Sequence, residues 1–259
     1  MKTRIDKLLV DRGLAASRER AQALILAGKV LVDDQKFEKA GAQVSADSVV
    51  RLLGEDLKYV SRGGLKLEGA LEHWNISVVG KICLDVGAST GGFTDCLLQR
   101  GASQVIAIDT GYGQMDFGLR QDARVRLREK TNARYLKRED LQPEDRSPAA
   151  VGVTVDFVAM DVSFISAALV LPAVIGAAFP ESMPGRRGRQ IVVLVKPQFE
   201  AGREHVGKGG IVRDQAAQLA AVEKVRTALG SLGAVETDTI DSPIRGAEGN
   251  REFLLYGVF

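Results

Sequence analysis

A glycine-rich turn, Asp85-Val86-Gly87-Ala88-Ser89-Thr90-Gly91-Gly92-Phe93, directly follows the apolar run Ile82-Cys83-Leu84 and leads into a stretch with helical spacing. A strand that passes into a helix through such a turn is a building unit of layered α/β folds. The first N–H groups of the helix have no partners within it, and with the helix dipole they favour a carboxylate or a phosphate. The turn therefore predicts both a fold class and a site for a small anionic or zwitterionic ligand.

The rest of the chain agrees from residue 63 onward. The pattern predicts a helix over 64–73, strands over 82–86 and 104–109 with a helix at 92–100 between them, strands near 125–128, 154–160 and 190–195, a helix over 214–229 and a last strand over 252–256. Such alternation predicts a parallel sheet covered on both faces. The stretch 183–189, rich in Pro, Gly and Arg, reads as a surface loop.

The front of the chain has a different organisation. Ile5, Leu8 and Leu9 share one helical face over residues 4–12, and Gly13 follows as a stop. Ser17 is placed to cap a second helix whose stripe is Ala21, Leu24 and Ile25 and which Gly28 closes. Val30-Leu31-Val32 and residues 48–53 read as strands, and Gly54-Glu55-Asp56 as the boundary between domains at 1–58 and 59–259. Formal net charge is only +2, yet the first thirty residues hold Lys2, Arg4, Lys7, Arg12, Arg18, Arg20 and Lys29 against Asp6, Asp11 and Glu19. The basic excess is local.

Two cysteines and two histidines form no metal-ligand spacing and no disulfide framework, so no metal and a reducing cytoplasmic setting are expected. The charged N-terminus lacks the apolar region of a secretory signal. The longest apolar stretch, 167–179, is interrupted by Pro172 and falls short of the ~20 residues needed to span a bilayer.

Several ligands compete for the turn. A dinucleotide site wants G-x-G-x-x-G, which Gly87-x-Ser89-x-Gly91-Gly92 matches imperfectly. Gly87-Ala88-Ser89-Thr90-Gly91 also spells the hydrolase elbow G-x-S-x-G, but the only histidine downstream is His205, in a loose Gly/Lys-rich segment. In a third reading the turn opens on Asp85, and Asp109 ends the next strand, where an acid can accept from a ribose diol. This combination fits S-adenosylmethionine, its amino-acid end on the loop and its ribose on Asp109. A turn that merely packs helix on strand is the plain alternative.

For a methyl donor, four residues could choose the acceptor. Asp161 and Lys196 end strands at the carboxyl edge of the sheet, Lys66 precedes the first strand, and Glu252 opens the last one. A ribose 2′-hydroxyl is a weak nucleophile that must lose its proton as the new bond forms, and lysine is a base only when neutral. A neighbouring ammonium lowers a lysine pKa and flanking carboxylates raise it, so two lysines with two acids form a tunable set. Lys196 is the candidate base, Asp161 its orienter, and Lys66 with Glu252 position the hydroxyl. Taken one at a time, each also reads as a solvated strand end.

The blocks Tyr59-Val60-Ser61-Arg62-Gly63-Gly64-Leu65-Lys66-Leu67, Asp85 to Phe93, Asp161-Val162-Ser163-Phe164-Ile165-Ser166, Val195-Lys196-Pro197-Gln198-Phe199-Glu200 and Gly249-Asn250-Arg251-Glu252-Phe253 together resemble the TlyA family. That family carries both a hemolysin name and a ribosomal RNA 2′-O-methyltransferase assignment, and its catalytic domain is similar to the FtsJ-like enzymes. The resemblance implies a Rossmann-like class I methyltransferase fold with a mostly parallel seven-stranded sheet. It also implies S-adenosylmethionine as cofactor, held by Asp85, Gly87, Ala88, Ser89, Thr90, Gly91, Gly92, Phe93, Thr94 and Asp109. The family's Lys-Asp-Lys-Glu tetrad falls on Lys66, Asp161, Lys196 and Glu252, with Glu248 a nearby competitor for the last place. The acceptor it implies is the ribose of a cytidine in ribosomal RNA or its subunits.

The front unit, with Arg4-Ile5-Asp6-Lys7-Leu8-Leu9 and Ser17-Arg18, resembles the small α+β alpha-L RNA-binding module. There helix cations meet phosphates, and Arg4, Arg18, Arg20 and Lys29 are the candidates here. A solvated helix face is the alternative. The segment 202–210 is basic and glycine-rich and reads either as a flap over RNA or cofactor or as an ordinary loop. Against the enzyme stand two rival functions, a membrane-lytic hemolysin and a non-catalytic RNA-binding protein.

Overall fold

The computed structural model describes residues 2–15, 17–53, 58–143, 153–246 and 249–259. It separates into two compact units, Met1–Leu57 and Lys58–Phe259. The sequence-read boundary at 54–56 and Glu248 lie outside the described residues.

The first unit runs β1 (Lys2–Arg4), α1 (Ile5–Asp11), α2 (Arg18–Leu26), β2 (Val30–Val32), β3 (Gln35–Phe37), β4 (Gln43–Ser45) and β5 (Val50–Leu52). β1 pairs antiparallel with β4, and β2 lies between β3 and β5. Ile5, Leu9, Ala21, Ile25 and Val30 are fully buried and form the core that the helical spacing predicted. Ser17 Oγ accepts from the Arg20 N–H at 3.2 Å, and Gly13 and Gly28 take left-handed φ values of 68° and 64° after their helices. The hairpin β2–β3 turns on Asp33 and Asp34, both at positive φ, as a two-residue primed turn requires. Asp-Asp is a weaker hairpin signal than Asn-Gly, and three-residue strands show no alternation, so β1, β3 and β4 were not legible beforehand.

In the second unit, α3 (Gly63–His73) precedes β6 (Ile82–Val86), α4 (Gly92–Gln99), β7 (Gln104–Ile108), α5 (Phe117–Gln121), β8 (Val125–Arg128), β9 (Phe157–Met160), α6 (Ala167–Ala178), β10 (Gln190–Val195), α7 (Pro197–Glu200), α8 (Gln215–Ser231), β11 (Glu236–Asp241) and β12 (Phe253–Val258). The seven strands lie in the order β11-β12-β10-β9-β6-β7-β8, and β12 alone runs antiparallel to its neighbours. Alternate residues face opposite sides. Leu84, Val86, Ile106 and Val158 pack with residues of α6 and α8. Cys83, Val105, Phe157 and Val192 pack with those of α3 and α4. Burial on both faces is why these strands read as unbroken apolar runs.

Four elements of this unit are absent from the sequence reading, the short α5 and α7 and the longer α6 and β11. Residues 167–178 form a continuous helix despite Pro172, which lies on its exposed side while Val170, Leu171, Val174 and Ile175 are buried. β11 is a sheet edge of sequence Glu-Thr-Asp-Thr-Ile-Asp with too few apolar residues to be seen. The strand order reverses between β6 and β9, so the segments that follow these two strands flank a crevice at the carboxyl edge, the usual ligand position in open α/β sheets.

Candidate active site

The turn after β6 is shaped by close approach as much as by backbone freedom. Gly87 has φ 87°, and a Cβ there would lie 2.2 Å from the Asp161 carbonyl oxygen. Gly91, at φ 96°, is the N-cap of α4. At Gly92 a Cβ would meet Ser61 Oγ at 2.2 Å. Ser89 adopts φ 46°, donates its N–H to Asp109 Oδ2 at 2.8 Å and its hydroxyl to Gln114 Oε1 at 3.2 Å. Asp109 Oδ1 accepts from the Gly111 N–H at 2.6 Å, which fixes the carboxylate at the mouth of the crevice. Among the described residues Ser89 is bonded to Asp109 and Gln114 and His205 lies against Glu204, so the serine of the hydrolase elbow has no histidine partner.

Asp85 is fully buried within β6. Its Oδ2 accepts from Thr94 Oγ1 at 2.6 Å, whereas Oδ1 has no partner among the described residues. Burial pushes this carboxyl up to about 7; the Thr94 hydroxyl opposes the shift and the charge of Asp161 adds to it. An orphaned carboxylate oxygen, a glycine that admits close backbone approach and an acid at the end of β7 suit a zwitterionic nucleoside such as S-adenosylmethionine. Ala88 and Phe93 are largely buried but line the cleft beside the turn together with the exposed Thr90, and the Thr94 hydroxyl is bonded to Asp85.

The four candidate catalytic residues come together as two ion pairs. Lys66, on α3, donates to Glu252 Oε2 at 2.5 Å, with side chains only 11% and 3% exposed. Lys196, the N-cap of α7, has Nζ 2.5 Å from Asp161 Oδ1 and donates to Ser163 Oγ at 2.7 Å. The contact with Asp161 is close in charge but lacks the angles of a hydrogen bond, so Ser163 supplies the directed one. Room for the Glu252 carboxylate comes from Gly246, where a Cβ would stand 2.4 Å from Oε1.

Three clefts share these residues. One holds Gly87, Ser89, Asp109 and Asp161, with Asn132 and Arg134 also in its lining. Another, beside the turn, joins Lys66 to Ser89 and Asp161. The third contains Lys196, Glu252, Gln198 and Asn250, and it shares Ser163 and Phe164 with the first. The sequence reading missed Ser163 and Phe164. Phe164 is 92% exposed, has φ 63° and leans on Phe199 at 5.3 Å between ring centres. A bulky aromatic held in a disfavoured backbone region in water is the signature that would have singled it out.

In the first unit Arg4 grips Asp6 through Nε and Nη2 at 3.0 and 2.8 Å, and Arg18 and Gln22 join the same carboxylate at 3.1 and 2.9 Å. Asp6 is fully buried, and the Arg4 guanidinium holds its carboxyl well below the usual range. The Arg4 and Arg18 side chains remain about half exposed, at 47% and 50%. Arg20 and Lys29 are half-buried.

Residues 59–259 match the model of the FtsJ-like methyltransferases and residues 3–50 that of the S4 domain. The chain is an FtsJ-like methyltransferase of the TlyA family. It is 44% identical over 256 residues to the 16S/23S rRNA (cytidine-2′-O)-methyltransferase TlyA of Mycobacterium tuberculosis, covering 98% of this chain and 89% of that protein. Hemolysin A of Brachyspira hyodysenteriae is 39% identical, over 98% of this chain and 99% of that one. A solved structure from Streptococcus thermophilus that bears the hemolysin name superposes with a TM-score of 0.70 at 41% identity, covering 99% of this chain and 88% of that one. The mostly parallel seven-stranded sheet and the front unit are thus those of a TlyA-type methyltransferase. No described helix is long and apolar enough to cross a membrane, and among the described residues no group of three or more His, Cys, Asp or Glu is placed to hold a metal ion.

Proposed function

We propose that this methyltransferase uses S-adenosylmethionine to methylate the 2′-hydroxyl of a cytidine ribose in ribosomal RNA, with residues 1–58 binding RNA and 59–259 performing the transfer. The observation that carries the reading is the meeting of three clefts: Lys66 and Asp161 line one with the turn, Asp161 lines another with Asp109, and Lys196 and Glu252 line the third, which shares Ser163 and Phe164 with the second. The cytidine assignment rests on the activity named for the Mycobacterium tuberculosis relative. Work on ribosomal RNA or subunits makes the cytoplasm the proposed location.

Asp109 and the backbone of residues 87–92 hold the nucleoside and amino-acid ends of the cofactor, and Asp85 Oδ1, buried and without a partner among the described residues, is the candidate acceptor for its ammonium. When bound, S-adenosylmethionine supplies an electrophilic methyl group on a sulfonium. Lys196, in its neutral form, takes the proton of the 2′-hydroxyl at Nζ, and Asp161 stabilises the ammonium that results. Ser163 aims Nζ, and Lys66 with Glu252 positions the hydroxyl. Phe164 offers a stacking face for a base turned out of its helix, at an unstacking cost of a few kcal/mol. Arg134 places positive charge in the lining of the cleft that holds Asp109 and Phe164. The segment 202–210 contributes Val206 and Gly210 to the Lys196 cleft and forms its outer wall.

The test is transfer of a tritiated methyl group to ribosomal RNA or subunits by the wild type and by Lys196→Ala. Transfer by the wild type with loss in the variant supports the reading. A wild type that binds both substrates and transfers nothing overturns it, and an equally active variant overturns the base assignment alone. The membrane-lytic alternative predicts vesicle leakage that persists in Lys196→Ala.

A further inference from the structure

Glu200 carries a charge, has no place in the reaction described above and is almost wholly buried, its side chain 1% exposed. Its carboxylate is fully engaged from outside its own helix. Oε2 accepts from Ser166 Oγ at 2.5 Å, and Oε1 accepts the N–H of Ala167, the first residue of α6. Ser166 is the N-cap of α6, yet its side chain makes no capping bond to that helix. Glu200 does the capping in its place, from another element, and meets the positive end of the α6 dipole. Behind it, Lys224 on α8 donates to the Glu200 carbonyl oxygen at 2.9 Å and places Nζ 3.3 Å from Oε2.

The consequence lies one helical turn away. α7 is a single turn with Pro197 at its first position, so Lys196 and Glu200 are the two ends of one short rigid rung. Opposite it runs the loop 161–166 between β9 and α6. Lys196 Nζ contacts that loop at Asp161 and Ser163, and Glu200 contacts it at Ser166. Loop and rung are fastened at both ends, and Phe164 projects from the span between the fastenings.

We propose that Glu200 is a positioning residue for methyl transfer, which by capping α6 sets the loop 161–166 against α7 and so fixes where Lys196 Nζ stands relative to Asp161 and Ser163. The proposal rests on the reading of Lys196 as the base. Glu200→Gln keeps the size of the side chain and removes the charge that holds the α6 terminus and Lys224. A shift of a fraction of an ångström at the base lowers turnover, by about 10- to 100-fold for misplacements near 1 Å.

The experiment measures kcat and KM for RNA, cofactor affinity by calorimetry and the pH–rate profile for wild type, Glu200→Gln, Ser166→Ala and Lys196→Ala. Glu200→Gln is expected to bind cofactor as the wild type does, to lose kcat by about tenfold or more with little change in KM, and to displace the limb of the pH–rate profile that reports the base. A purely structural role would lower thermal stability, while kcat per cofactor-binding site and the pH profile stayed at wild-type values; that result overturns the proposal. If Glu200→Gln does not accumulate as folded protein, Ser166→Ala, which removes one donor and no charge, carries the same expectation at smaller size. Inactive Lys196→Ala beside fully active Glu200→Gln and Ser166→Ala overturns the role of Glu200 alone. Active Lys196→Ala overturns the base reading and this role with it.

Discussion

Gly87 and Asp161 meet backbone to backbone, with space for no atom between the Gly87 Cα and the Asp161 carbonyl oxygen. The Asp161 N–H in turn donates to the Val86 carbonyl oxygen at 2.9 Å, so the turn proposed to hold the cofactor and the segment that carries Asp161 are one mechanical unit. Gly87→Ala must both hold a side chain at φ 87° and displace Asp161. The first term alone costs about 1 kcal/mol. Loss of cofactor affinity together with kcat is expected, measured by calorimetry and single-turnover transfer. Retained kcat at saturating cofactor would show that the two segments are independent.

The Lys66–Glu252 pair is buried, so removing one partner strands a charge. Glu252→Leu is expected to destabilise the second unit by about 3 kcal/mol, the lower end for a broken buried pair because Lys66 keeps slight exposure. Adding Lys66→Met should restore most of that stability and none of the activity. Trp74, the single tryptophan, lies in this unit stacked on Tyr256 at 5.2 Å, and its fluorescence during denaturation reports on the unit by itself. Activity in the double variant would remove both residues from the mechanism.

What was legible in advance follows from how local each cause is. The strand-turn-helix at 82–99 could be read because two-face burial writes an apolar run and close approach writes glycines. The ends of β9 and β10 likewise marked Asp161 and Lys196. The pairing of Asp161 with Lys196 and of Lys66 with Glu252, across 186 residues, followed from the chemistry of the four side chains, whereas the hold of Glu200 on Ser166, across 34, could not be read. A carboxylate whose purpose is to cap a helix elsewhere leaves no local pattern. Residues 167–178 are apolar throughout, so α6 has no polar face to mark a helical period, and Pro172 interrupts the run.

Asp85 gives a pH signature. Its carboxyl is raised from 3.8 to about 7 in the folded protein, so the folded state holds a proton that the unfolded state has released. Stability of the second unit therefore falls as pH rises through that window and levels off above it. A cofactor ammonium beside Oδ1 favours the charged carboxylate, so binding is expected to tighten from about pH 6 to about pH 7.5 and to release a proton. Calorimetry in two buffers of different ionisation enthalpy measures that proton. Asp85→Asn should abolish the release; a wild type that binds with no proton exchange contradicts the placement.

Phe164 tests the acceptor side of the site. Phe164→Ala removes an exposed ring that the fold does not bury, so stability should be unchanged. Stacking of one base on an aromatic ring is worth about 1–3 kcal/mol, and a loss of that size is expected in kcat/KM for RNA. An unchanged kcat/KM would remove Phe164 from the acceptor site.

In the first unit Asp6 holds Arg4 and Arg18 with their outer faces in water, an arrangement that presents two fixed cations to a phosphate backbone. RNA affinity should fall with salt, and each arginine that neutralises a phosphate contributes about 0.7–0.9 to the slope of log K against log salt. Arg4→Ala and Arg18→Ala are each expected to flatten the slope by about that amount and to weaken binding to all RNA sequences alike. Asp6→Asn tests the arrangement itself. It leaves both cations in place but removes the charge that fixes them, so affinity should drop through disorder of the pair. Because the Asp6 carboxyl is held below its ordinary value, the stability it contributes is present at neutral pH and is lost as pH falls below the ordinary carboxylate range. Asp6→Asn should erase that acid transition in the first unit. Slopes that match the wild type in both arginine variants would place the phosphate contacts elsewhere on the chain.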